Sequence, residues 1–231
     1  MALTGCGRLL PQRYTLPNVL VIVVDTLRAD RVGAFGNQAG LTPNLDSLAA
    51  NATVYQNAYP LSSWTKPSMA SLWTSRFPTQ HGVVDFDIQM PETEITIPEI
   101  LHDVGYVTAG FQSNLLLTKR HGFAQGFGHY VIYGTDDDVP GPTKPHPKAA
   151  TLNREALHWV DLTDRPWWKR NPRLLYIHYM EPHSPLDPDP EIWAETATKK
   201  DHRGIADLNT KFLISRLYPQ PEEVWFELRG G

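Results

Sequence analysis

The chain has 231 residues, of which 41% are hydrophobic and 20% charged, and a formal charge of -4. That size supports one substantial core with at most an appendage, and the lack of any block of like charge argues against nucleic acid or an anionic lipid surface as the main partner. No stretch approaches the roughly 18 apolar residues of a transmembrane span, and a single cysteine excludes an internal disulfide framework.

Residues 1–16 lack periodicity and read as a tail, ahead of one domain over 17–231. Leu3-Thr4-Gly5-Cys6 resembles the lipobox at which bacterial lipoprotein signals are cut, although only Met1 and Ala2 precede it. Two readings follow: a chance tetrapeptide, or the remnant of a signal on an exported periplasmic or cell-surface protein with a lipid anchor at Cys6. Asn18 to Val24 is a continuous β-branched run, the pattern of a strand buried on both faces of a parallel sheet. It stops at Asp25, where the carboxyl end of a strand meets the crevice used by open α/β sheets. From position alone Asp25 is either a turn residue or a functional carboxylate.

Thr42 as N-cap, Pro43 at the first position and Leu45, Leu48 and Ala49 on one face predict a helix, with Asp46 complementing its dipole. Thr53 to Asn57 has the composition of a short strand. "PSMASLWTS" from Pro67 reads as a helix ending before Phe77-Pro78. Pro98 near a helix start, Gly105 after its end and an extended Tyr106 to Phe111 follow. Residues 136–147, with an acidic triplet, form a loop; "KAATLNREALHWV" is helical, with Leu152, Ala156 and Trp159 toward the core. "LLYIHYM" is a second buried strand, running into the proline-rich "EPHSPLDPDP". Helices alternating with apolar strands predict an α/β domain with a mainly parallel sheet flanked by helices.

Three chemistry-bearing residues fall at predicted strand ends or a helix start: Asp25, Thr65 and His183. Singly, a threonine before a helix is an ordinary cap and a loop histidine is ordinarily exposed. In order, the segments "NVLVIVVDTLRADRVGAFG", "TPNLDSLA", "SSWTKPSMASLWTSRFPTQHG", "GYVTAGFQSN" with "GFAQGF", and "LLYIHYMEPHSP" closely resemble the N-terminal half of a sulfatase-family hydrolase of the alkaline phosphatase superfamily. The resemblance covers residues 17–185 and implies the alkaline phosphatase/sulfatase-like fold in truncated form, the chain stopping about where the family enters the second half of its sheet.

That resemblance puts the family's nucleophile, two residues before the proline of its C/S-x-P-x-R motif, on Thr65. It makes Asp25 a metal ligand, with Thr65 beside it on the metal, and sets His183 of the "H-x-P" loop against the ester's oxygens. Asn114 and Arg76 match positions that touch substrate, Arg76 having loop stabilisation as its other reading; His81 and His178 read as structural. Two departures bear on chemistry. Oxidising a threonine would give a ketone rather than the formylglycine of true sulfatases, and the family arginine four residues on is Met69. Thr26 also stands where a second aspartate is common. Threonine nucleophiles in this superfamily belong to phosphodiesterases, phosphatases and phospho-group transferases. The expectation is therefore a metal-dependent hydrolase or transferase of small-molecule, lipid or glycan phosphate or sulfate esters, using zinc or manganese for a phosphoester and calcium for a sulfoester. The alternative is a non-catalytic fragment or pseudoenzyme, because the only Asp-His pair, Asp201-His202, lies in a polar stretch with no strand before it and is not the family's later ligand pair.

Overall fold

A computed structural model describes residues 16–134, 148–164 and 171–183, together with residue 194 and the strand backbone of 224–228. Cys6, the acidic triplet at 136–138, the proline-rich loop beyond His183 and Asp201-His202 lie outside the described residues.

Five strands, β1 (Val19–Val24), β2 (Val107–Gln112), β3 (His129–Ile132), β4 (Arg173–Tyr179) and β5 (Val224–Leu228), form one sheet in the order β3-β2-β4-β1-β5. Every pairing is parallel, with Val23 opposite His178 and Gln112 opposite His178 across the middle of the sheet. Parallel strands need crossovers, supplied among the described residues by α1 (Pro43–Ala49), α2 (Thr65–Thr74), α3 (Pro78–His81), α4 (Ile97–Asp103) and α5 (Ala149–Thr163). β4 is late in sequence yet central in space. It lies between β1 and β2, so the carboxyl ends of three strands open on one crevice.

The period-two alternation of a strand decides which face each residue serves. Leu20, Ile22 and Val24 of β1, Ala109 and Phe111 of β2, and Leu175, Ile177 and Tyr179 of β4 share one apolar layer with Leu152, Ala156 and Trp159 of α5. Val23 and Tyr176 share the opposite layer with Met69, Ala70 and Trp73 of α2. Trp73 meets Tyr176 edge-on at 5.0 Å between centroids and Phe127 at 5.7 Å, so aromatic contacts fix α2 against the sheet. Gly110 lies beneath these rings. A Cβ there would stand 2.6 Å from the Tyr130 ring, which is why the strand carries no side chain at that point.

Several boundaries differ from the sequence expectation. β1 starts at Val19, because the Asn18 side-chain oxygen accepts from Arg173 N at 2.9 Å. Thr53 to Asn57 is not a strand but a largely exposed irregular segment, since no described neighbour offers it a ladder. β3 adds a strand to the sequence expectation; four residues with an exposed end give little periodic signal. Thr42 occupies the N-cap of α1 without capping it, its hydroxyl instead accepting from Gly33 N at 2.9 Å and meeting Asp46. Asp46 also accepts from Ala34 N at 2.8 Å, which gives it the structural role expected of it, pinning the turn Gly33–Phe35. α4 begins with a reciprocal cap in which Glu99 accepts from Thr96 N and Thr96 Oγ1 accepts from Glu99 N.

Candidate functional site

The alternation that sorts the core also builds the site. Continuing β1 past Val23 puts Asp25 on the α2 side of the sheet; continuing β2 past Gln112 puts Asn114 there; in β4, His178 follows Tyr176 on that face. Asp25 N still donates to Tyr179 O at 2.9 Å, so the carboxylate is held by the last rung of the ladder. The next residue, Thr26, adopts φ 56°, a left-handed conformation that costs a non-glycine residue on the order of 1–3 kcal/mol and tends to accompany functional sites.

Asp25 is 3% exposed, and its Oδ2 accepts from three side chains, one on α2, one on β4 and one just beyond β2. Thr65 Oγ1 donates at 2.9 Å and Asn114 Nδ2 at 3.1 Å, while His178 Nε2 lies at 3.1 Å. A carboxylate has no proton to give, so Nε2–H is the donor. The other ring nitrogen, Nδ1, lies 2.7 Å from the Tyr176 hydroxyl, a second contact that orients the ring. Asn114 is fixed in turn: its Oδ1 accepts from Leu116 N at 2.9 Å, its backbone N donates to Gln112 Oε1 at 2.5 Å, and Nδ2 also touches Met180 Sδ at 3.3 Å.

Thr65 opens α2, two residues earlier than the proline suggested, and Pro67 sits in the first turn, where its missing N–H removes no helical bond. The N-cap residue Trp64 makes no side-chain cap bond, and the backbone N–H groups of the first turn stand at the mouth together with the positive end of the dipole. Met69 is fully buried in the apolar layer and brings no charge to the position where an arginine was the family expectation.

His183 lies in the turn directly after β4, its backbone N donating to Met180 O at 2.8 Å, at the same lip of the sheet. Arg76 is not brought to this cluster. It lies beyond the other end of α2, about 15 Å along the helix axis, where it pairs with Glu94 at 3.2 Å. That contact fits its loop-stabilising reading. His81 is structural: its Nδ1 accepts from Val83 N and its Nε2 meets Ser71 Oγ, both at 3.0 Å, and burial lowers its pKa. His178, expected to be structural, lies 3.1 Å from Asp25 Oδ2, beside Thr65 and Asn114. The available signal was a histidine inside an otherwise apolar strand, in phase with Asp25 across the neighbouring strand. Glu181, in the turn before His183, accepts from Ala149 N at the start of α5, and burial raises its carboxyl above the usual range.

Asp25 and Thr65 offer hard oxygen donors suited to a divalent cation. Among the described residues, however, no group of three His, Cys, Asp or Glu gathers as a metal site, so these residues supply only part of a coordination shell. None of the described helices is long and apolar enough to cross a membrane.

The family model for sulfatases matches residues 17–218. The chain belongs to the sulfatase family. It is similar to the N-acetylglucosamine-6-O-sulfatase of Bacteroides thetaiotaomicron, at 23% identity over all of this chain and 39% of that protein. Among solved structures it resembles one determined in complex with its substrate D-glucosamine-2-N,6-O-disulfate, with TM-score 0.65 and 22% identity over 79% of this chain and 38% of that one. It also resembles the phosphonate monoester hydrolase of Agrobacterium radiobacter, with TM-score 0.62 and 20% identity over 77% of this chain and 43% of that one. These structural likenesses show the sulfatase-like fold, and this chain spans less than half the length of each of the three proteins.

Proposed function

We propose that this sulfatase-family chain carries the nucleophile side of a metal-dependent phosphate or sulfate ester hydrolase or transferase, with Thr65 as the attacking group. The observation that carries the reading is the 2.9 Å hydrogen bond from Thr65 Oγ1 to Asp25 Oδ2 at the uncapped mouth of α2. The ester anion binds against the first-turn N–H groups of α2, which favour negative charge, and lies in line with Thr65 Oγ1.

Thr65 Oγ1 forms a bond to phosphorus or sulfur as the ester's bond to its leaving oxygen breaks. The hydroxyl proton passes along the existing hydrogen bond to Asp25 Oδ2, and His183 protonates the departing oxygen to give the alcohol. Attack by water, or by an acceptor alcohol, on the Thr65 ester releases the group; its proton restores His183, and the proton on Asp25 returns to Thr65. His178 and Asn114 keep the Asp25 carboxylate aimed at Thr65 throughout. A divalent cation held by Asp25 and Thr65 would supply Lewis-acid charge at the threonine oxygen, lowering its pKa. Zinc or manganese suits a phosphoester, calcium a sulfoester. The threonine favours the phosphoester, while the glucosamine-disulfate complex among the neighbours favours a glycan-borne ester.

The test is intact-mass trapping of an adduct on Thr65 with an aryl phosphodiester and an aryl sulfate, beside turnover of Thr65→Ser and Thr65→Ala. Turnover that survives in full in Thr65→Ala sinks the assignment. A second reading, an anion-binding chain without turnover of its own, is favoured by the incomplete ligand set among the described residues.

A further inference from the structure

The end of β4 serves two layers at once. Tyr176 and His178 face α2 and the site, while the alternate residues Tyr179 and Glu181 reach α5: the Tyr179 hydroxyl donates to Asn153 Oδ1, and Glu181 Oε1 accepts from Ala149 N. Ala149 and Asn153 lie one helical turn apart, so the strand end grips α5 at two successive points. Ala149 is the first residue of α5, and Lys148 before it makes no side-chain cap bond. A first-turn N–H at the positive end of the dipole suits a carboxylate, so Glu181 caps this helix from across the fold. The arrangement is costly. Burial raises the Glu181 carboxyl above its usual range, and its second oxygen, Oε2, is buried with no hydrogen-bond partner among the described residues. A serine, threonine or aspartate at position 148 would cap α5 locally without that cost, so the reach from the strand end needs a further reason.

The turn to which Glu181 belongs supplies it. His183 N donates to Met180 O at 2.8 Å, which closes the turn from Met180 to His183 around Glu181 and Pro182. Pro182, with φ fixed near about -65°, stiffens its centre. This closed turn is held from both sides: Met180 Sδ touches Asn114 Nδ2 at 3.3 Å toward the site, and Glu181 grips α5 on the other face. We propose that Glu181 is a positioning residue for His183, its bond to the start of α5 fixing the turn that presents the imidazole to the departing oxygen of the ester. The inference rests on the reading of His183 as the acid for the leaving group. Fixing matters there because a misplacement of about 1 Å can cost about 100-fold in rate.

The test is a proton–carbon NMR correlation spectrum of the histidine rings in the full chain, with His183 assigned by the loss of its signal in His183→Gln. Glu181→Ala deletes the acceptor. Ala149→Pro deletes the donor from the other side, at a helix position that favours proline and after a residue already extended at φ -70° and ψ 157°. Both are expected to move the His183 signal toward that of an unstructured histidine, and the double variant to move it no further than either alone. Glu181→Gln, which keeps an acceptor, is expected to restore it. Tyr179→Phe loosens the same helix one turn further on and is expected to leave His183 in place. An unmoved His183 signal in both Glu181→Ala and Ala149→Pro, or an equal movement in Tyr179→Phe, overturns the positioning role while leaving the Thr65 chemistry intact. Failure of that chemistry shows separately, as the absence of a Thr65 adduct in the wild type, and removes the role from a tether that the spectrum still reports.

Discussion

Replacing Thr65 with valine isolates the hydroxyl. The side chain keeps its shape and β-branching, so neither a cavity nor a large change in helix propensity accompanies the loss. What disappears is one donor of the three that converge on Asp25 Oδ2. A hydrogen bond to a charged group contributes about 1.5–3 kcal/mol, and because two donors remain, the cost falls at the lower end, about 1.5 kcal/mol. For a chain of this size that corresponds to a fall in Tm of about 3–6 °C. The more searching measurement is the cycle with Asn114→Ala. Each single variant leaves Oδ2 with two of these three donors, whereas the double leaves His178 as the remaining one of the three, so the double is expected to cost about 0.5–1.5 kcal/mol more than the sum. Urea unfolding of the four proteins at a common m-value reads this out. Additivity within about 0.3 kcal/mol would show that the donors do not act on one shared oxygen and would undo the convergence on which the site is built.

Two further predictions concern the support around the site. His81 is held neutral by burial, with its pKa below the ordinary value of 6.5, and protonating Nδ1 would set two donors face to face at Val83 N. A depressed histidine contributes stability above the unfolded-state value that is lost as pH falls through the folded-state value. The wild type should therefore lose stability relative to His81→Gln as pH is lowered from about 6.5, by at most about 1.4 kcal/mol per unit; parallel Tm curves for the two proteins would refute it. Gly110→Ala pushes a methyl to within 2.6 Å of the Tyr130 ring and is expected to destabilise by about 1–3 kcal/mol, with an unchanged Tm in thermal unfolding as the contrary result.

How much was legible in the sequence follows from which interactions are local. The β-branched run before Asp25, the apolar "LLYIHYM" segment and the spacing of Leu152, Ala156 and Trp159 announce buried strands and a one-faced helix. These patterns are set by neighbours within a few residues, and the five ordered motifs point to the sulfatase family and to Thr65. Pro67 misled on the start of α2 by two residues, because proline tolerates any place in a first turn. β3 is not legible along the chain because a four-residue strand has too few repeats to show a period.

What only the tertiary structure decided was who meets whom at Asp25. The sheet order inserts β4 between β1 and β2, and that insertion, invisible along the chain, carries His178 and Asn114 to the same carboxylate oxygen as Thr65 from 153, 89 and 40 residues away. The same geometry sends Arg76 to the far end of α2 and ties Glu181 to the start of α5. Sequence determined the elements and the candidate nucleophile because hydrophobic periodicity and motif spacing are properties of adjacent residues. Strand order determined the site, because the hydrogen bonds that define it join residues that only the packed sheet makes neighbours.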